Sequence, residues 1–166
     1  MVIEKIRINK TTMKIKALSK KQNSEFTKKI TNKYNEFEKL IIELNKKEIP
    51  LEIVNSINKE IDEIDSFSGS DKSLLKYMRK VQHNILKLIK KKIKLVTKNH
   101  YRNIGIAIGV SVFGVSLGVV FGASIGNTSL IAITIPIGMA IGLAIGTSMD
   151  KKAFEDGKQL DLEIRY

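Results

Sequence analysis

Residues 103–149 read NIGIAIGVSVFGVSLGVVFGASIGNTSLIAITIPIGMAIGLAIGTSM, 47 consecutive positions without an ionisable side chain between Arg102 and Asp150. As one helix they would reach about 70 Å at a rise of about 1.5 Å per residue, more than twice a hydrocarbon core of about 30 Å. Two helices of about 20 residues with a turn between them fit a bilayer. The turn belongs at Gly126-Asn127-Thr128-Ser129, the most polar stretch inside the run. Spans are therefore expected at about 104–125 and 130–148. The first holds twelve Ile, Leu, Val or Phe residues. At about −0.3 to −0.6 kcal/mol each near the bilayer centre, they favour insertion by about 4–7 kcal/mol before any glycine penalty.

Nine of the eleven glycines fall in this segment. Gly114, Gly118, Gly122 and Gly126 form a run at i+4, Gly138, Gly142 and Gly146 form another, and Gly105 and Gly109 belong to the same packing set. Glycine at this spacing opens a groove in which a second helix backbone approaches closely. Ala132, Ala140, Ala144 and Ser148 make a further column of small residues, offset by two positions from the glycines. Two positions rotate about 200° on a helix, so the second span carries small residues on nearly opposite sides. One side serves the hairpin partner and the other a neighbouring copy, so a homo-oligomer is expected.

A strand reading competes. From Ile131 to Ile145 the odd positions are large and apolar and the even ones small or turn-like, which is also a period of two. Pro136 would interrupt a ladder, and a barrel strand needs a polar lumen face and only about 9–11 residues. Helices are the expectation, ahead of a β-hairpin or a hairpin buried in a soluble core.

From Gly105 through the zipper to Asp150-Lys151-Lys152-Ala153-Phe154-Glu155-Asp156-Gly157-Lys158-Gln159-Leu160, about a third of the chain, the sequence resembles the glycine-zipper hairpins of small bacterial membrane proteins. Several membrane-active toxins carry such zippers. The resemblance implies close helix packing in a bacterial membrane and transfers no catalytic residue.

Charge is divided unevenly. Residues 1–102 carry 25 Lys or Arg against 12 Asp or Glu, while the tail 150–166 has four basic and five acidic side chains. Just before the first span Lys87, Lys90, Lys91, Lys92, Lys94, Lys98 and Arg102 place seven cations in sixteen residues, and Lys151 and Lys152 follow the second. Positive flanks stay cytoplasmic. Both termini are thus expected in the cytosol of a bacterium, with the hairpin in its inner membrane. Each cation near an anionic leaflet contributes about 1 kcal/mol, so these residues are candidates for gripping anionic lipid as well as setting topology. Of the 29 basic residues only four are Arg, which argues against nucleic acid as a partner, because base and phosphate recognition leans on the Arg fork. The start, Met1-Val2-Ile3-Glu4-Lys5, lacks an apolar core of signal-peptide length, so no cleaved leader is expected.

The basic cytosolic part, 1–102, reads as helices at about 24–47, 50–65 and 71–102. Ser24 is the expected cap of the first, with Phe26, Ile30, Phe37, Ile41 and Leu44 on one face. Pro50 suits a first helical position for the second, with Leu51, Val54, Ile57, Ile61 and Ile64. Asp71 is the expected cap of the third, whose stripe of Leu74, Met78, Val81, Ile85 and Leu88 is continuous enough to run into the first span. The ends alternate differently. Short strands are expected within 2–17, from Val2, Glu4, Ile6, Ile8, Met13 and Ile15, and within 160–166, from Leu160, Leu162, Ile164 and Tyr166. Their opposite charges favour a small antiparallel sheet joining the termini; the alternative is a frayed tail.

Catalytic chemistry is not expected. His83 and His100 lie seventeen residues apart and match no ligand spacing, there is no cysteine, and no Ser-His-Asp arrangement is available. Glu60, Asp62, Glu63 and Asp65 lack the order of a calcium loop and read as a solvated helix end. No metal or cofactor is expected. The fold class is mainly α, a membrane-embedded helical hairpin with a cytosolic helical domain. The expected function is a small integral membrane protein that oligomerises through its zipper and perturbs or permeabilises the membrane, as a toxin or defence effector does. The alternative is a non-permeabilising anchor or adaptor whose cytosolic helices bind a partner protein.

Overall fold

The computed structural model describes residues 14–19 and 28–164. The chain divides into two compact units, Met1–Leu88 and Ile89–Tyr166.

In the first unit the helical period of the sequence becomes amphipathic helices. α1 (Lys28–Asn45) buries Ile30, Tyr34, Phe37, Leu40, Ile41 and Leu44. α2 (Leu51–Asp65) buries Ile53, Val54, Ile57, Ile61 and Ile64. α3 (Asp71–Ile93) starts here and buries Leu74, Met78, Val81 and Ile85. Withdrawing each such side chain from water is worth about 1.5–3 kcal/mol, and this stripe-on-stripe burial holds the unit together. The expected cap at Ser24 and the neighbouring Phe26 lie outside the described residues. Pro50 sits one position before the helix rather than inside it, its carbonyl accepting the N–H groups of Ile53 at 2.9 Å and Val54 at 3.1 Å. Ser70, not Asp71, caps α3. Its carbonyl accepts the Leu74 N–H at 2.9 Å and its hydroxyl the Ser73 N–H at 3.4 Å. Asp71 is the first helical residue, where its charge favours the helix dipole.

Polar side chains fix how these helices face one another. Gln82, nearly buried on α3, donates to Glu36 of α1 at 2.9 Å and accepts from Lys33, whose ammonium also meets Glu36 at 3.1 Å. On the α2 side, Tyr77 donates its hydroxyl to Glu63 at 2.7 Å, and its ring stacks on Phe67 with centroids 5.2 Å apart. That hydrogen bond, followed by burial and the nearby carboxylates of Glu63 and Glu60, pushes the Tyr77 hydroxyl up to about 12. Tyr34 is raised as well, first by burial and then by the Asp65 charge.

The strand pattern expected over 2–17 falls mostly outside the described residues. Residues 14–19 belong to no regular element and, among the described residues, bond to side chains. The Asn45 amide brackets Ile15, accepting its N–H at 2.8 Å and donating to its carbonyl at 3.0 Å. Asn58 accepts the Lys16 N–H at 2.8 Å, Asp62 holds the Lys16 ammonium at 2.9 Å, and Asp65 accepts the Ser19 N–H at 3.1 Å. The acidic end of α2, expected to be merely solvated, is therefore the binding edge for this segment.

In the second unit the expected helix over 71–102 is corrected: α3 stops at Ile93. Lys94 turns left-handed (φ 60°) and its N–H closes onto the Lys90 carbonyl at 3.2 Å, a helix-terminating bond that needs no glycine. The reason lies in the next three residues. Leu95, Val96 and Thr97 are all buried, and a helix surface cannot bury three consecutive side chains on one stripe. They run extended instead, with β1 (Val96–Thr97) between Lys94 and a second left-handed residue, Asn99. The C-terminal strand β2 (Gln159–Leu160) pairs with β1, and the pairing is parallel. Among the described residues the partner of the tail strand is thus the segment before the first apolar helix, in parallel; the antiparallel sheet expected of the two termini rests on residues 2–13 and 165–166, which lie outside the described residues. The Val96 N–H reaches the Lys158 carbonyl and the Lys98 N–H the Leu162 carbonyl, both at 3.0 Å, and Leu160 and Ile164 are buried.

From His100 to Ile125 the backbone is one continuous 26-residue helix made of α4 (His100–Ile108), a π-helical stretch (Gly109–Val115) and α5 (Ser116–Ile125). Gly126 ends it in the left-handed conformation (φ 71°), and Asn127 accepts the Ser129 N–H on its side-chain oxygen at 3.0 Å, completing the turn where it was expected. α6 (Leu130–Glu155) returns for 26 residues. Both helices are long and apolar enough to cross a membrane, about 39 Å each at about 1.5 Å per residue. The most apolar window of each is only 17 % buried. Ile108, Val112, Val120, Phe121, Ile133, Ile137 and Ile145 are all at least half exposed, an apolar surface consistent with two membrane spans. The strand alternative for 131–145 does not hold, because those residues are helical.

Candidate functional site: the glycine seam and its polar collar

The two apolar helices run antiparallel with their glycines between them. A Cβ added to Gly105 would overlap the carbonyl of Gly142, and one on Gly109 would overlap that of Gly138. One on Gly114 would stand 2.9 Å from Cα of Ile135, one on Gly118 2.7 Å from Cα of Ile131, and one on Gly122 3.1 Å from the Asn127 oxygen. From the other side Gly146 is as tight, 2.6 Å from Cα of Arg102. Backbone thus lies on backbone from the turn to the open end. Gly126 does not take the packing role expected of it. It has nothing within 4 Å of an added Cβ and serves as the left-handed helix end.

The π-helical stretch has a cause legible in the spacing. Gly105, Gly109, Gly114, Gly118 and Gly122 step by four, five, four and four. An α-helix would rotate the glycines after Gly109 off the seam at the step of five; a stretch with i→i+5 bonding absorbs the extra residue. The stretch Gly109–Val115 spans that step. Thr134 of α6 donates to the Gly114 carbonyl at 2.6 Å across the seam. Four other hydroxyls of the apolar helices bond to their own backbone: Ser111 to Ala107, Ser124 to Val120 and Thr147 to Leu143, each at 2.8 Å, and Ser116 to Ser111 at 3.2 Å. Ala140 and Ala144 lie off the seam and are exposed, as are Ala132 and Ser148.

At the open end a polar collar closes the hairpin. Asp150, 7 % exposed, aims its carboxylate at the start of α4 and accepts the Tyr101 N–H at 3.1 Å and the Arg102 N–H at 2.8 Å. These donors have no partner inside their own helix, and the positive end of the helix dipole faces a negative charge. The Asp150 carbonyl in turn accepts from the Gln159 amide at 3.1 Å, so one residue ties the second helix to the start of the first and to β2. No local sequence rule marks Asp150, because the helix it caps lies 49 residues away.

The cations expected at the headgroup level have several fates. Lys98 pairs with Asp161 and Arg102 with Glu163, each at 3.4 Å, and Lys151 lies 3.9 Å from Glu155. Lys91, Lys92, Lys94 and Lys152 are exposed on the second unit and Lys87 on the first. Lys90 lies over the Tyr101 ring at 5.9 Å. His83 is exposed as expected. His100 is not a plain surface residue: its ring packs edge-on against Tyr101 and its Nε2 is buried without a partner among the described residues. Among the described residues no three His, Asp or Glu side chains gather as a metal site. The arrangement is suited to packing apolar helices backbone to backbone. Comparison with protein-family models, with curated proteins and with solved structures finds no match for this chain.

Proposed function

We propose that the chain is a two-span protein of a bacterial inner membrane, with both termini in the cytosol, whose hairpin anchors a helical domain that binds a partner protein. The observation that carries this reading is the closure of the glycine seam within one chain. Gly105, Gly109, Gly114 and Gly118 are all spent on the chain's own second helix, so the hairpin needs no second copy to pack. The intramembrane hydroxyls bonded to backbone carbonyls offer no polar path for ions, and the paired cations at the open end suit a fixed interfacial collar. The resemblance to bacterial glycine-zipper hairpins supports the membrane and carries no partner with it.

A second reading keeps the toxin-type function, self-association with perturbation of the bilayer. Its support is the exposed column Ala132, Ala140, Ala144 and Ser148, which leaves a small-residue face free for another copy. Controlled expression with a membrane-potential dye separates the two. An anchor leaves the potential intact while the protein stays in the carbonate-washed membrane fraction. Depolarisation that Ala140→Leu abolishes would sink the anchor and establish the second reading.

A further inference from the structure

Where the hairpin meets the collar, its outer surface is not smooth. A groove of about 310 Å³ opens between the two apolar helices, floored by the backbone at Gly105 and Gly146 and walled by Ile108, Phe113 and Met149. At both glycines the two helix backbones lie in contact, and that close approach makes the floor. Among the described residues the polar side chains that line it are Lys90 and Tyr101, the Lys90 ammonium lying 5.9 Å from the centre of the Tyr101 ring. From Tyr101 to Phe113 the helix advances about 18 Å at about 1.5 Å per residue, somewhat more than the roughly 15 Å hydrocarbon depth of one leaflet. Lys98 and Arg102 are paired with tail carboxylates, whereas Lys90 has no acidic partner among the described residues.

We propose that this groove is a site for one anionic phospholipid, its acyl chain lying on the glycine floor and its phosphate meeting Lys90. The inference rests on the membrane reading above and adds a defined ligand site to it. Charge complementarity chooses the occupant. An apolar slot with a single cation at its headgroup end matches a lipid that is apolar along its length and negative at one end. A second copy of the hairpin matches poorly. Residues 103–149 contain no anion to meet Lys90.

Native mass spectrometry of the full chain in detergent, titrated with phosphatidylglycerol and with phosphatidylcholine, tests this. The wild type is expected to retain one phosphatidylglycerol in preference to phosphatidylcholine. Lys90→Gln should reduce that preference about fivefold, the factor equivalent to about 1 kcal/mol per cation at an anionic headgroup. Met149→Trp, which fills the slot from an exposed position, should weaken retention of both lipids. Lys152→Gln, a cation away from the groove, should change neither. Unaltered preference in Lys90→Gln, or unaltered retention in Met149→Trp, overturns the proposal. So does a Met149→Trp protein that changes from dimer to monomer with its lipid count intact, since the groove would then seat a second copy. Failure of the membrane reading itself has a different signature, release of the wild-type chain from membranes by carbonate.

Discussion

The carboxylate of Asp150 accepts the backbone N–H of Arg102 at 2.8 Å, across 48 residues of sequence. With the second oxygen on Tyr101, one buried side chain at the end of the second apolar helix supplies the N-terminal cap of the first. Closure of the hairpin and capping of its opening helix are therefore the same interaction. A charge at this depth is tolerated because two N–H donors and a helix dipole compensate it.

Removal of this cap should cost more than removal of its charge. Asp150→Ala leaves two donors unpaired and is expected to destabilise the hairpin by about 1–3 kcal/mol. Asp150→Asn keeps one acceptor oxygen but sets an NH2 group against the other N–H, so it should lose less than Asp150→Ala and more than the helix-dipole contribution of about 0.3–1 kcal/mol. Loss of helicity against added dodecyl sulfate in mixed micelles measures both. Equal stability of Asp150→Ala and wild type would remove Asp150 from the account of closure.

The seam and the outer column of small residues should respond differently to added bulk. Gly142→Val forces a side chain into the Gly105 carbonyl and is expected to cost at least about 1–3 kcal/mol, through overpacking that backbone cannot relieve. Ala144→Val adds comparable bulk to an exposed face and should leave hairpin stability within about 0.5 kcal/mol. Fluorescence transfer between labels at the two ends of the hairpin reports the opening. If both variants open it equally, the seam does not run along the glycine face.

Much of this was legible in the residues, and the failures have physical causes. Forty-seven uncharged positions and a polar tetrapeptide at their middle are enough to specify two helices and a turn. The stripe from Leu74 to Ile85 gave α3, but its end was hidden: Lys94 stops the helix in a left-handed conformation with neither glycine nor proline to mark it. Only the buried triplet Leu95-Val96-Thr97 hinted at the change of period. The step of five between Gly109 and Gly114 was visible as arithmetic and becomes meaningful once a partner helix demands one continuous face. The parallel pairing of Gln159–Leu160 with Val96–Thr97 was out of reach, since strands of two residues carry no period.

Tyr77 offers a pH readout of the α2–α3 contact in the first unit. Its hydroxyl is neutral when it donates to Glu63, so folding raises its pKa from about 10 to about 12. A group raised in the folded state contributes its stability below the unfolded value, and that contribution is lost as pH rises from about 10 to about 12. Ultraviolet difference absorbance of the four tyrosines should accordingly contain a late tyrosinate transition. Tyr34, raised by burial, contributes to the late part as well. Glu63→Gln should return the Tyr77 transition towards pH 10 while leaving that of Tyr34 in place. An unchanged titration in Glu63→Gln would mean that the pair does not form in solution.

The tail strand should matter through its apolar side chains and little through its charges. Leu160 is fully buried in the second unit, and Leu160→Ala is expected to cost about 2–5 kcal/mol. Ending the chain after Lys158 removes Leu160 and Ile164 together and unpairs β1. It should make the stretch between Lys94 and Asn99 sensitive to trypsin at Lys98, since cleavage requires an unpaired, extended backbone. Asp161→Asn, in contrast, removes a charge from a side chain that is 84 % exposed and pairs with Lys98 at 3.4 Å, and exposed pairs of this kind are worth about 0–1 kcal/mol. Limited proteolysis of the three proteins in detergent should therefore rank the truncation as most labile, Leu160→Ala next, and Asp161→Asn close to wild type. A truncated protein as resistant as wild type would show that the hairpin holds its open end without the tail, leaving Asp150 alone to close it.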